Sequence, residues 1–151
     1  MLNSPAPDFS LAASTGQQIT LKELLGSFVV LIFYPANDTP VCDRQLKEAS
    51  MNISEFLAMG TRVFGVNTAS VAKQKDYCTR KKLEYPILSD PGGKVAKAYK
   101  AHMIWLPFNS RTVVVVDPQG IICYYQRGAP PATAILEAIK KRKAELESGA
   151  A

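Results

Sequence analysis

The chain has 151 residues, 47% of them apolar and 21% charged, with a formal net charge of +5. That is enough for one domain with a proper core, and the composition is that of a soluble globular protein. It excludes a membrane span, because no apolar run nears ~20 residues. It also excludes a disulfide framework or zinc cluster, because the only sulfur and imidazole ligands are three dispersed cysteines (Cys42, Cys78, Cys123) without a CxxC and one histidine, His102.

The N-terminus, Met1-Leu2-Asn3-Ser4-Pro5, has neither a basic segment nor an apolar signal core. Export is therefore not expected, and a few dispersed thiols suit the cytoplasm. Pro5 and Pro7 start the chain extended. Residues 8–11 and 18–20 read as two strands around the Ser14-Thr15-Gly16-Gln17 turn, a small hairpin ahead of the main fold. Residues 21–25 form a short helical turn ended by Gly26. Residues 28–33, Phe-Val-Val-Leu-Ile-Phe, read as a central strand buried on both faces.

A polar loop follows Pro35, and a helix is expected from Pro40 to about Met59, with Leu46, Ala49, Ile53, Phe56 and Leu57 as its apolar stripe and Gly60 as its stop. A strand at 62–67, a helix at 69–82, a short strand at 87–89 and a short helix at 94–100 come next. Residues 112–117 and 121–126 read as a hairpin around Asp117-Pro118-Gln119-Gly120, and a final amphipathic helix spans 132–147, with 148–151 expected to fray. Strands alternating with helices, then a hairpin, imply a mixed sheet with helices on both faces. The basic runs Arg80-Lys81-Lys82 and Lys140-Lys141-Arg142-Lys143 read as solvated helix faces, with Glu137, Glu145 and Glu147 as neighbours at helical spacing. No nucleic-acid or membrane partner is expected from them.

The chemistry concentrates in residues 33–45. Thr39 can cap the helix and Pro40 suits its first position, which makes Cys42 the third helical residue. There, unpaired N–H groups and the positive end of the helix dipole favour a reactive thiolate. The residues alone point to a cysteine-based redox enzyme.

Pro35-x-x-x-Thr39-x-x-Cys42 also has the form of the peroxiredoxin signature PxxxTxxC. Three further blocks follow the family in order: Pro5-x-Pro7-x-Phe9; Leu88-Ser89-Asp90-Pro91 with Ala98-Tyr99; and Arg111-Thr112-Val113-Val114-Val115-Val116-Asp117-x-x-Gly120. Over nearly its whole length the chain resembles the peroxiredoxin Q, or bacterioferritin comigratory protein, branch. The resemblance implies a single domain over 1–151 with a thioredoxin fold, its mixed central sheet flanked by helices and preceded by a β-hairpin extension. It implies reduction of hydrogen peroxide and alkyl hydroperoxides, regeneration by thioredoxin or a similar dithiol donor, a monomer, and neither metal nor organic cofactor. By position, Cys42 is the peroxidatic residue, and Thr39, Pro35 and Arg111 complete its pocket. The Thr39 hydroxyl and the Val41 and Cys42 backbone N–H groups suit the binding of peroxide.

Many members of the branch carry the resolving cysteine five residues on, where this chain has Lys47. Others carry it on the next helix, which here holds Cys78, 36 residues after Cys42. The resemblance thus implies a Cys42–Cys78 intramolecular disulfide, and with the two on different helices, local unwinding on oxidation is expected. The competing reading of Cys78 is packing, on one helical face with Val71. Cys123 reads as a small buried apolar residue. Val41 and Asp43 depart from the branch, and Asp43 sets a negative charge beside the thiolate. Met103, Trp105, Leu106 and Phe108 read as core, with an apolar collar at the pocket mouth as the alternative. Two other functions compete: a thiol–disulfide oxidoreductase, which lacks its CxxC, and a peroxide-sensing redox relay.

Overall fold

A computed structural model describes residues 1–149; Ala150 and Ala151, in the tail expected to fray, lie outside the described residues. The strands are β1 (Ser10–Ala13), β2 (Gln18–Thr20), β3 (Phe28–Phe33), β4 (Thr61–Asn67), β5 (Ile87–Ser89), β6 (Thr112–Val116) and β7 (Ile122–Arg127). The helices are α1 (Leu21–Leu24), α2 (Pro40–Met51), α3 (Ile53–Ala58), α4 (Val71–Lys81), α5 (Lys94–Ala98) and α6 (Ala132–Glu147). All seven strands form one sheet in the order β2-β1-β5-β4-β3-β6-β7. β3, β4 and β5 run parallel, while β6 and β7 are antiparallel additions.

Every residue of β3 is buried, as a doubly covered strand requires. Val30 and Ile32 face a layer formed by α2, α3, α4 and α6, and Val29, Leu31 and Phe33 face α1, α5 and the N-terminal segment. Gly65 on β4 is a close-packing glycine: a Cβ there would stand 3.2 Å from both Tyr34 and Ile87 and 3.5 Å from Leu46. Its missing side chain lets α2 settle on the sheet.

Most element ends fall within one or two residues of the sequence reading, and two differences have a visible physical cause. The first strand is 10–13 rather than 8–11, because β1 pairs on its other edge with β5 (Ala12 with Ser89, Ala13 with Leu88). The hairpin therefore extends the main sheet. The helix expected over 40–59 is broken at Asn52, whose Nδ2 donates to Glu48 O at 2.8 Å. This local bond to a carbonyl four residues back competes with the helical ladder. Glu48 in turn caps α6, its carboxylate accepting from Ala132 N–H at 2.8 Å.

Candidate active site

The sheet topology builds the site. β6 runs antiparallel to β3 with Thr112 opposite Phe33, so the start of β6 lies beside the end of β3. Arg111 is thereby delivered to the loop that follows β3, and its carbonyl is held by Gly128 N–H at 2.8 Å. The carboxyl ends of β4 and β5 open on the same edge, where ligand sites in α/β sheets form.

Cys42 is fully buried at the third position of α2. Its Sγ lies 3.8 Å from Arg111 Nη2. The first backbone bond of the helix runs from Asp43 N–H to Thr39 O at 2.8 Å, so the N–H groups of Val41 and Cys42 precede the ladder. Thr39 takes the N-cap backbone position, but its hydroxyl makes no cap; it donates to Ala36 O at 3.4 Å. Expected capping by the Thr39 side chain is therefore corrected. The Nε of Arg111 is buried with no partner among the described residues, as are both polar atoms of Gln45. A guanidinium that faces sulfur with one nitrogen and keeps another donor unused is poised to accept an oxygen. Gln45, one turn beyond Cys42, is missed by the sequence reading; its signal was the three-residue spacing that puts both on one helix face.

Residues 35–42 are held by a polar hub that the sequence reading also missed. Asn37 Oδ1 accepts from Tyr34 Oη at 2.6 Å and Asn67 Nδ2 at 3.1 Å, and Asn37 Nδ2 donates to Gln74 Oε1 at 2.9 Å. Gln74 and Asn67 are buried and bonded to each other. Outside the hub, Asp38, at φ +60°, receives a bidentate pair from Arg80 at 2.9 and 3.0 Å. That guanidinium lowers the Asp38 carboxyl. Asp43 accepts from Tyr77 Oη and pairs with Lys81 at 3.2 Å, so its charge is met by a cation rather than left facing the thiol. Pro35 lines a hollow of about 690 Å³ with Asn37, Asp38, Asn67, Thr68 and Phe108.

Cys78 is half-buried on α4, packed against the same core layer that holds Cys42. Its Sγ donates to Ser14 Oγ at 3.5 Å, just past β1. Burial pushes the Cys78 thiol up, an effect the Ser14 bond partly offsets. Arg111 precedes β6, and β5, β4 and β3 lie between β1 and β6 in the sheet order. Both thiols are free. Cys123 is the extra residue of a bulge in β7, where Val115 pairs with Tyr124 and Val116 with Ile122. Half-buried against the α6 layer, its thiol is pushed up to about 12 by burial and by Asp117.

The AhpC/TSA family model matches residues 2–125. The chain belongs to the AhpC/TSA family. Among its relatives, peroxiredoxin Q of rice chloroplasts (Oryza sativa subsp. japonica) is 31% identical over 91% of this chain, which spans 64% of the rice protein's length. A Helicobacter pylori protein bearing the peroxiredoxin name bcp is 34% identical over 80% of this chain and 84% of its own. Of solved structures, the peroxidoxin BcpB of Mycobacterium tuberculosis superposes with a TM-score of 0.85 at 27% identity, covering 93% of this chain and 96% of that one. The peroxiredoxin resemblance and the thioredoxin-type fold read from the sequence are both confirmed, and the comparisons enclose the residues that build the Cys42–Arg111 pair.

Proposed function

We propose that the protein is a thiol peroxidase acting on hydrogen peroxide and organic hydroperoxides, with Cys42 as nucleophile. The observation that carries this reading is Arg111 Nη2 at 3.8 Å from the Cys42 sulfur, with Arg111 Nε buried and unused. The guanidinium and the start of α2 favour the sulfur anion. The anion bonds to one peroxide oxygen, the O–O bond breaks, and the departing oxygen takes a proton to leave as water or an alcohol. Arg111 meets the charge that develops on that oxygen. Thr39 and the Val41 and Cys42 N–H groups orient the peroxide, and Pro35 walls the site from water.

Cys42 is left as a sulfenic acid. Cys78 condenses with it, forming the Cys42–Cys78 disulfide and releasing water. A dithiol donor of the thioredoxin kind then reduces the disulfide and becomes oxidised itself. Both cysteine segments must unwind for the pairing, which the separate Ser14 and Arg111 contacts support. The cycle suits a monomer in a reducing, cytoplasmic compartment. The test is turnover of hydrogen peroxide with thioredoxin and its reductase. Wild-type protein should cycle and Cys42→Ser should not; a Cys42→Ser protein with full activity refutes the proposal. A single stoichiometric oxidation without turnover would instead favour the sensing relay.

A further inference from the structure

Residues 102–109 leave α5 and return to β6 as a protruding loop. His102 bridges to Asn109, and Met103 N–H donates to Phe108 O at 2.9 Å. Asn109 is buried and pins the return, its Nδ2 donating to Val66 O at 3.1 Å. Between these clamps the apolar side chains face water. Trp105 is 91% exposed, Ile104 87%, and Met103, Leu106 and Phe108 are exposed as well. A contiguous cluster of large apolar residues at a surface marks an interaction site.

Its surroundings say what kind. Lys97, Lys100 and Arg127 line a hollow with Met103 and Ile104, and Lys97 recurs beside Trp105 and Leu106. No carboxylate lines either hollow. Among the described residues none of these three cations forms an ion pair. A second copy docking through the same face would set three cations against their own equivalents, which is unfavourable. A partner that is apolar inside and anionic outside satisfies both halves of the patch. Side chains this exposed protrude, and so suit a deformable apolar phase; tryptophan in particular favours the membrane–water boundary.

We propose that this loop docks the protein peripherally on anionic phospholipid bilayers. Ile104, Trp105 and Leu106 enter the boundary between headgroups and acyl chains, while Lys97, Lys100 and Arg127 meet lipid phosphates. No helix among the described residues is long and apolar enough to cross a membrane, so the contact is superficial. The expectation of no membrane partner rested on the lack of a spanning apolar run and on the basic helix runs; this loop is a separate feature. Phe108, at the root of the loop, lines the hollow that Pro35 and Asn37 also line, so docking brings that hollow toward the bilayer.

Trp105 is the only tryptophan, so its emission reports the contact without any peroxide chemistry. Vesicles of equimolar phosphatidylcholine and phosphatidylglycerol should shift its emission to the blue. Pure phosphatidylcholine should not, and molar salt should reverse the shift. The double variant Lys97→Gln, Lys100→Gln should bind about 30-fold more weakly. Ile104→Asp should abolish co-sedimentation with vesicles while circular dichroism and peroxide consumption stay at wild-type values. Three results overturn the proposal: no shift with anionic vesicles, equal binding to neutral vesicles, or an equal shift with polyglutamate alone. So does a dimer in vesicle-free buffer that buries Trp105 and dissociates in Ile104→Asp, because the patch then belongs to a second copy.

Discussion

Cys42 and Cys78 are the same residue placed at opposite ends of two helices. Cys42 sits in the first turn of α2, where the N–H groups of Val41 and Cys42 precede the helical ladder, and a guanidinium stands 3.8 Å away. Cys78 sits near the other end of its helix, its carbonyl receiving the closing bonds of α4 from Lys82 and Leu83. That is the negative end of the dipole, and Ser14 is its only side-chain hydrogen-bond partner among the described residues. Burial there works against the anion. In the proposed cycle the first environment serves the nucleophile, and the second holds the resolving thiol until the chain moves. In that cycle the contrast keeps two buried or half-buried cysteines from competing for the same oxidant.

Replacing the attacking sulfur should break the contrast most completely: Cys42→Ser should lower peroxide consumption by at least about a thousandfold. Removing its field comes next. Arg111→Met should slow Cys42 oxidation by roughly 100- to 1,000-fold in stopped flow, with Arg111→Lys recovering only part because the planar fork is lost. A wild-type rate in Arg111→Met would mean the helix start alone activates the sulfur.

Changing the other region should leave that first step untouched. Cys78→Ser should oxidise at the wild-type rate but accumulate Cys42 sulfenic and then sulfinic acid, visible as added oxygen by mass spectrometry. Weaker still is the hub that holds residues 35–42. Asn37→Ala strips a partner from the Tyr34 hydroxyl, Asn67 and Gln74, and should cost about 1–3 kcal/mol in urea unfolding. An unchanged midpoint would show that the loop needs no such clamp.

The smallest effect belongs to the outer brace. Asp38 and Arg80 are about half exposed, so Asp38→Asn should cost no more than about 1 kcal/mol. Its carboxyl is lowered in the folded protein, so this contribution is complete above the unfolded value of ~3.9 and fades as pH falls through the lower folded value. Disulfide formation should quicken in the variant at neutral pH, because the segment carrying Cys42 is freed from α4.

The sequence made one half of the contrast readable and hid the other. Thr39, Pro40 and Cys42 are local, so helix register alone placed the thiol at a positive helix end. β3 was equally plain, since six consecutive apolar residues suit little but a doubly covered strand. Arg111, 69 positions from Cys42, came through resemblance, because its approach depends on β6 pairing antiparallel to β3. The Asn37–Asn67–Gln74 hub leaves no periodic trace, being hydrogen bonds between polar residues up to 37 positions apart. The break at Asn52 turned on one amide choosing a carbonyl in its own helix. Residues 102–109 misled by composition: apolar side chains read as core, yet the short clamp from His102 to Asn109 holds them away from it.

The most direct test of the account is non-reducing peptide mapping after one equivalent of hydrogen peroxide. The account predicts a single new species joining the Cys42 peptide to the Cys78 peptide within one chain, with Cys123 still free. A Cys42 that stays reduced while Cys78 or Cys123 carries the oxidation would contradict it.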